Sequence, residues 1–322
     1  MKEISKRSSL SEIEKYLKKE LNIFSFDEQI HNIEVPGEGN MNVVLRIETN
    51  KKSFILKQSR PYVNKYPNIK NSEKRIIVED QFYELIIKSE IQKFFPKKID
   101  FIKKDLILLI EDLGQCRDMS YLYSSKNINL DHFNSLIYIL ESIHKTKVNS
   151  FPSNSSLKEL NHEHIFVLPF QKNDFQLDDI QSGLKKLSTF ITNDSNVNDV
   201  VKRIGDMYLK VGNTLLHGDY YPGSWMEKDD NVYVIDPEFS HLGFKEFDLG
   251  VMAAHLTMIT ESEDYLNKII KAYSENIDKS IFYKVSGIEI IRRIIGLAQL
   301  PLDMSLNAKE KLLNIAKKMI MS

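Results

Sequence analysis

One cysteine, Cys116, occurs in 322 residues, so no disulfide can form within the chain and a reducing compartment fits. Neither sign of charge is in excess: 44 Lys and Arg stand against 45 Asp and Glu, for a formal net charge of -1. That balance gives no electrostatic case for nucleic acid or for an anionic membrane surface. No apolar run approaches the roughly 20 residues needed to span a bilayer. The opening stretch, MKEISKRSSLSEIEKYL, lacks the apolar core of a signal peptide, and the expected location is the cytoplasm. Internal repeats, low-complexity linkers and coiled-coil heptads are missing as well. So are a Walker A loop, a G-x-S-x-G elbow and an H-E-x-x-H helix, which counts against P-loop kinases and the simplest hydrolases.

What is present suits a globular chain with a real core, since 42% of the residues are hydrophobic. The length allows two domains or one bilobal unit with a cleft. Ser9 and Glu12 have capping-box spacing ahead of Leu10, Ile13, Leu17 and Leu21, so a helix is expected over 9–21 with those four on one face. Two strand-like runs, 42–48 and 53–57, flank a polar turn and predict a hairpin. A helix over 72–89 and a second strand pair, 99–102 and 106–110, follow. Beyond 111–114 the pattern turns helical, at 130–144, 178–191, 197–211 and 248–321, interrupted by a β-rich island at 215–239. This is an α+β outline, bilobal and protein-kinase-like. A small β-rich N-lobe (1–112) precedes a larger, mostly helical C-lobe (113–322).

The chemistry-bearing residues concentrate in the island. His217-Gly218-Asp219 is followed by Val234-Ile235-Asp236-Pro237-Glu238. Phosphoryl transfer needs an acceptor for a hydroxyl proton and hard oxygen ligands for magnesium. Asp219, on a turn after a strand, suits the first task. Asp236 and Glu238, two apart at the end of an apolar strand, are expected on one face to share a metal. Ordinary turn carboxylates are the competing explanation, weakened by two motifs in this order. Gly37-Glu38-Gly39-Asn40-Met41-Asn42 precedes the hairpin, where glycines let backbone amides approach phosphate oxygens. Lys57 ends the paired strand, within reach of nucleotide phosphates. Glu79 on the next helix is its expected partner, with Glu84 and Glu90 as rivals. His162-Glu163-His164 has no third ligand nearby and is expected to be surface or substrate-lobe material. His144, on an apolar helix face, is read as structural. Tyr220, Tyr221 and Trp225 either pack the island or line a pocket.

These residues resemble the aminoglycoside phosphotransferase and choline kinase superfamily, and within it the 5-methylthioribose kinase family. Gly37-x-Gly39-Asn40-Met41-Asn42 is similar to that family's G-x-G-N-L-N loop, and Lys57 to Val63 to its K-Q-x-x-P-Y-V stretch. Arg75 and Glu79 fit R-x-x-x-E, Glu111-Asp112-Leu113 fits the hinge, and Ser224 and the Pro237-Glu238 pair match as well. Arg292-Arg293-Ile294-Ile295-Gly296-Leu297-Ala298 matches an R-R-x-I-G-L-A segment. The resemblance implies ATP and Mg2+ as cofactors and a small-molecule alcohol as acceptor. Asp219 would be the base, with Asp236, Glu238 and Ser224 as metal ligands. Gly37, Gly39, Asn40, Asn42, Lys57 and Glu79 would attend the phosphates, and Glu111 and Leu113 the adenine. Arg292, Arg293, Tyr221 and Trp225 would meet the substrate. Two departures fall near the site. Tyr221 stands where the family has histidine, and Tyr66-Pro67 replaces Trp-Pro. Methylthioribose or a related sugar is therefore the expected acceptor. An aminoglycoside, choline or other amino alcohol is the alternative, with Glu261, Glu263 and Asp264 available for a cation. A kinase-fold binding protein without turnover is the third reading. A homodimer is among the assemblies the sequence allows.

Overall fold

In the computed structural model, residues 3–4, 8–37, 41–300 and 302–322 are described. Helix α1 (Leu10–Glu20) carries the expected reciprocal capping box between Ser9 and Glu12. It buries Ile13 and Leu17, but Leu10 in its first turn is 41% exposed, so the apolar face is one residue narrower than its spacing predicts. Strand β1 (Ile30–Glu34) was not legible in the sequence, because IHNIE does not alternate cleanly and its burial is partial. The hairpin forms as expected from β2 (Val43–Thr49) and β3 (Ser53–Gln58), in register from Val43↔Gln58 to Glu48↔Ser53. A two-stranded ribbon, β4 (Tyr62–Val63) and β5 (Tyr66–Lys70), leads to α2 (Arg75–Ile86), shorter at both ends than the predicted 72–89. Strands β6 (Lys98–Ile102) and β7 (Ile107–Glu111) complete an antiparallel sheet of order β1-β2-β3-β7-β6.

Strand periodicity explains how this sheet joins two cores. On β7, Ile107 and Leu109 face the layer containing Ile13, Leu17, Leu45, Ile47, Phe54 and Leu56. Leu108 and Ile110 face the opposite way, into the larger core with Phe82 and Ile86 of α2. Both faces of β7 are thus covered, and its run ILLI is accordingly continuous rather than alternating. Each fully buried Leu or Ile here contributes roughly 1.5–3 kcal/mol of hydrophobic stabilisation.

The rest of the chain is mostly helical. A short strand β8 (Arg117–Asp118) and helix α3 (Leu122–Ser125) precede α4 (Leu130–His144), which starts at the Asn129 cap. Helices α5 (Ser155–His162), α6 (Leu177–Ile180), α7 (Leu184–Thr192) and α8 (Ser195–Leu209) follow. The single helix expected over 178–191 is two. Gly183 between them has φ +88, a left-handed conformation that stops a helix and that glycine adopts without a Cβ clash. The β island comprises β9 (Thr214–Leu216), β10 (Trp225–Lys228), β11 (Asn231–Val234) and β12 (His241–Gly243). It is not one sheet: β8, β10 and β11 form one, and β9 pairs with β12. Helix α9 (Glu246–Thr260) is buried on nearly every side, as its apolar composition requires. Against it pack α10 (Asp264–Ala272) and α11 (Lys279–Ile295), and α12 (Leu306–Met321) packs on α11. Among the described residues, no helix is long and apolar enough to cross a membrane.

Candidate active site

Strand β9 delivers His217-Gly218-Asp219 into a tight turn. Gly218 has φ +86, and a Cβ there would collide with the carbonyl oxygen of Phe239. The turn is held from below by Asp248, in the first turn of α9. Its carboxylate accepts hydrogen bonds from the backbone N–H of His217 (2.7 Å) and Gly218 (3.0 Å). His144 Nε2 lies 3.3 Å from the same carboxylate, and His144 Nδ1 lies 2.9 Å from the Tyr273 hydroxyl, so His144 is structural as expected. Burial alone would raise the Asp248 pKa, but His144, His217 and the Gly218 amide overcome it and hold the group ionised. Sequence reasoning passed over Asp248. A signal existed: Asp248 opens the apolar run of α9, and a carboxylate buried there must find partners.

Asp219 points its carboxylate toward α11, with Arg293 Nη2 3.6 Å from Oδ1 and about a quarter of the side chain exposed. Burial pushes its pKa up to about 6, against the pull of Arg293 and Arg292. Glu289 lies beneath. Its Oε1 accepts from Arg293 Nε (2.7 Å), and its Oε2 accepts from Arg292 Nη1 (3.0 Å). The Arg293 guanidinium also stacks 4.7 Å from the Tyr221 ring, whose other neighbour is the His255 ring at 5.0 Å. Tyr221 therefore sits beside the candidate base. Trp225 does not line a pocket. It is fully buried, packed against Tyr220, whose hydroxyl donates to the Leu136 carbonyl at 2.8 Å. Of the three aromatics, two pack the island and one faces the site.

Lys57, at the inner end of β3, donates to Glu79 of α2 (2.6 Å) and to Asp236. Burial would lower the ammonium pKa, but Asp236 and Glu79 together hold it well above its ordinary value. Glu84 instead pairs with Lys98, and Glu90 is exposed, so neither rival reaches Lys57. Asp236 and Glu238 are not on a shared strand face. β11 ends at Val234, Asp236 takes a left-handed backbone (φ 62), and 237–239 form a 3-10 turn. Their side chains diverge accordingly. Asp236 meets Lys57, while Glu238 Oε2 accepts from Asn42 Nδ2 (2.9 Å) and lies 3.2 Å from Arg75 Nε. Burial pushes the Glu238 carboxyl up to about 8, with Arg75 pulling the other way. Asn42, expected near the nucleotide, is thus occupied together with Arg75 in tying the first hairpin to the 236–239 turn. Arg75 adds hydrogen bonds to the Met41 carbonyl (2.6 Å) and the Arg60 carbonyl (2.8 Å).

A cavity of about 270 Å³ opens between the hairpin and the island. Gly37, Val44, Lys57, Ile110, Leu113 and Asp236 are among its walls, and Glu111 and Asp112 border it too. Asp112 is fixed by Arg46, whose Nε is 2.9 Å away. Ser224 is buried at the start of β10, where its carbonyl accepts from the Ile235 amide at 3.0 Å. Gly39 and Asn40 lie outside the described residues. His162 stacks on Phe166 at 5.6 Å, and burial lowers its pKa and that of His164. Among the described residues, no group of three or more His, Cys, Asp or Glu gathers to hold a metal.

Comparison with known proteins agrees with this geometry. The profile of the phosphotransferase enzyme family matches residues 131–283, which include the 217–219 and 236–238 turns. A methylthioribose kinase of Exiguobacterium sibiricum is 28% identical over 236 residues, 68% of this chain and 59% of that protein. The chain thus spans less than two thirds of that relative's length. A methylthioribose kinase of Bacillus cereus is 25% identical over 341 residues, covering 88% of this chain and 85% of its own. Two solved structures share the fold. Choline kinase LicA from Streptococcus pneumoniae superposes with a TM-score of 0.55 at 15% identity, over 97% of this chain and 98% of that one. A spectinomycin phosphotransferase bound to ADP and spectinomycin gives 0.55 at 16% identity, over 98% and 99%. By sequence the chain is similar to the phosphotransferase enzyme family over residues 131–283 and to the methylthioribose kinases, and its fold is that of the choline kinase and spectinomycin phosphotransferase structures.

Proposed function

We propose that this chain is an ATP-dependent small-molecule kinase whose acceptor is methylthioribose or a related neutral sugar. The observation that carries the acceptor choice is the charge beside Asp219. Arg293 lies 3.6 Å from it, Arg292 also pulls on its charge, and the acidic group beneath them, Glu289, is already spent on both guanidinium groups. Burial would raise the Glu289 pKa, but Arg292, Arg293 and His255 hold it far below the usual range, so it stays ionised and paired. A cationic amino alcohol or aminoglycoside needs unpaired carboxylates, whereas guanidinium forks suit the oxygens of a polyol. The acids considered for a cation do not supply them: Glu261 pairs with Lys126 at 2.7 Å, and Glu263 and Asp264 are exposed.

In this reading, residues 1–112 hold the nucleotide and 113–322 carry the base, the metal ligands and the acceptor site. Glu111 and Leu113 would receive adenine, and Lys57, fixed by Glu79, would hold phosphate oxygens. The donor set fits magnesium, a hard cation that takes one or two protein carboxylates plus phosphate and water. Asp236, with 43% of its side chain exposed, is the available carboxylate; Ser224, whose carbonyl pairs with the amide of neighbouring Ile235, is the second candidate, and Glu238 would have to leave Asn42 and Arg75. The ion supplies charge neutralisation of the phosphates. Lys57 would exchange its contact with Asp236 for one with phosphate. Asp219 accepts the acceptor hydroxyl's proton as its oxygen bonds to the γ-phosphorus. The bond from that phosphorus to the β,γ-bridging oxygen breaks, and ADP leaves.

The test is ADP release by the whole chain with ATP and Mg2+ against methylthioribose, ribose, choline, ethanolamine and spectinomycin. Release with methylthioribose supports the proposal. Release with choline or spectinomycin alone would overturn the acceptor, and nucleotide-dependent thermal stabilisation without release under any condition would overturn catalysis.

A further inference from the structure

We propose that Glu289 is the positioning residue of the acceptor site: it fixes both arginines, and His255 fixes Glu289. The inference rests on the acceptor reading above. It begins from helical spacing, because positions three and four residues on lie over the same face. Glu289 thus reaches Arg292 and Arg293 at once, with one carboxylate oxygen for each, at 3.0 and 2.7 Å. Adjacent residues on a helix point about 100° apart. Without a shared anchor, these two like-charged forks would diverge.

The anchor is itself fully buried, at 1% exposure, so its orientation must come from protein partners rather than water. His255 on α9 provides one, with Nε2 3.1 Å from Glu289 Oε1. The opposite ring nitrogen, Nδ1, lies 2.6 Å from the Tyr123 hydroxyl. Burial lowers the His255 pKa to about 4, so the ring is neutral near pH 7. With Nε2–H donating to the carboxylate, Nδ1 is left to accept from Tyr123. The chain Tyr123–His255–Glu289 then fixes Arg293, which reaches Asp219 with Nη2 and lies over Tyr221. Neither Glu289 nor His255 reaches Asp219 by hydrogen bond among the contacts described. Both act through the arginine.

Steady-state kinetics of the whole chain with ATP, Mg2+ and methylthioribose tests this. Glu289→Gln keeps the shape but removes the charge and turns an amide toward one guanidinium. The acceptor KM is expected to rise about tenfold or more, as for a lost charge-assisted hydrogen bond, with the ATP KM within about twofold. A merely structural role would lower the melting temperature and leave both constants alone, which would overturn the proposal. His255→Phe keeps the ring stacked on Tyr221 but leaves Glu289 Oε1 held by Arg293 alone, and a rise of about threefold in the acceptor KM alone is expected. Should Glu289→Gln not fold, His255→Phe decides, and an unchanged acceptor KM there overturns the proposal. If the wild-type chain turns over choline or spectinomycin instead of methylthioribose, the acceptor reading has failed. The same variants assayed on that acceptor then judge Glu289 separately.

Discussion

Removing Arg293 should move the pH dependence of catalysis upward. Asp219 must be ionised to accept a proton, so activity should fall as pH drops through its pKa, which burial has pushed up to about 6. Below that point the decline should approach tenfold per pH unit. Arg293 lies 3.6 Å from the carboxylate and favours its ionised form. At an effective dielectric constant of about 20, charges at this spacing interact by on the order of 4 kcal/mol. Glu289 offsets much of that attraction from the far side of the guanidinium, and the partial exposure of Asp219 screens more. The remainder is roughly one pKa unit, about 1.4 kcal/mol. In Arg293→Gln the sign is fixed. Losing the cation leaves the protonated acid easier to keep, the pKa rises further, and the acid limb moves toward neutrality. The assay is kcat/KM for the acceptor between about pH 5 and 9, which reports groups of the free enzyme. Other charges facing Asp219 are Arg292, Glu289, Asp236 and the Tyr221 hydroxyl, all retained in this variant. An unmoved limb, or one displaced to lower pH, would refute both the assignment of Asp219 and its coupling to Arg293.

Three further variants test other parts. Asp219→Asn should bind nucleotide as before but lose turnover by about 100-fold or more, and a residual rate above about a tenth would remove Asp219 as the base. Asp236→Ala should raise the Mg2+ concentration needed for half-maximal rate several-fold, measured by metal titration at fixed ATP, while an unchanged titration would point to other ligands. Gly218→Ala combines a left-handed backbone with a collision at the Phe239 carbonyl. A loss of about 2 kcal/mol or more in urea unfolding is expected, and a neutral result would contradict the turn geometry.

Local signals carried much of this molecule. The Ser9 capping box, the hairpin at 43–58 and the helix over Leu130–His144 depend on interactions within a few residues, and each formed near its expected bounds. The two acidic turns, Lys57 and the paired arginines could be picked out as motifs, because their residue types and spacing are rare together. Their arrangement could not. The direction of Glu238 depends on Asn42 and Arg75, 196 and 163 residues away in sequence. Its divergence from Asp236 depends on a left-handed residue that strand periodicity does not foresee. Choosing Glu79 over Glu84 and Glu90 as the partner of Lys57 required knowing which face of α2 meets β3. Trp225 and Tyr221 belong to one aromatic-rich segment, yet one fills the core and the other stacks on Arg293. Glu289 and His255 stayed silent because a buried polar group is recognised only by its partners, and these two meet from helices far apart along the chain. Short-range chemistry set the elements and named the reactive groups. Which groups met, and which were consumed holding others in place, was decided by packing.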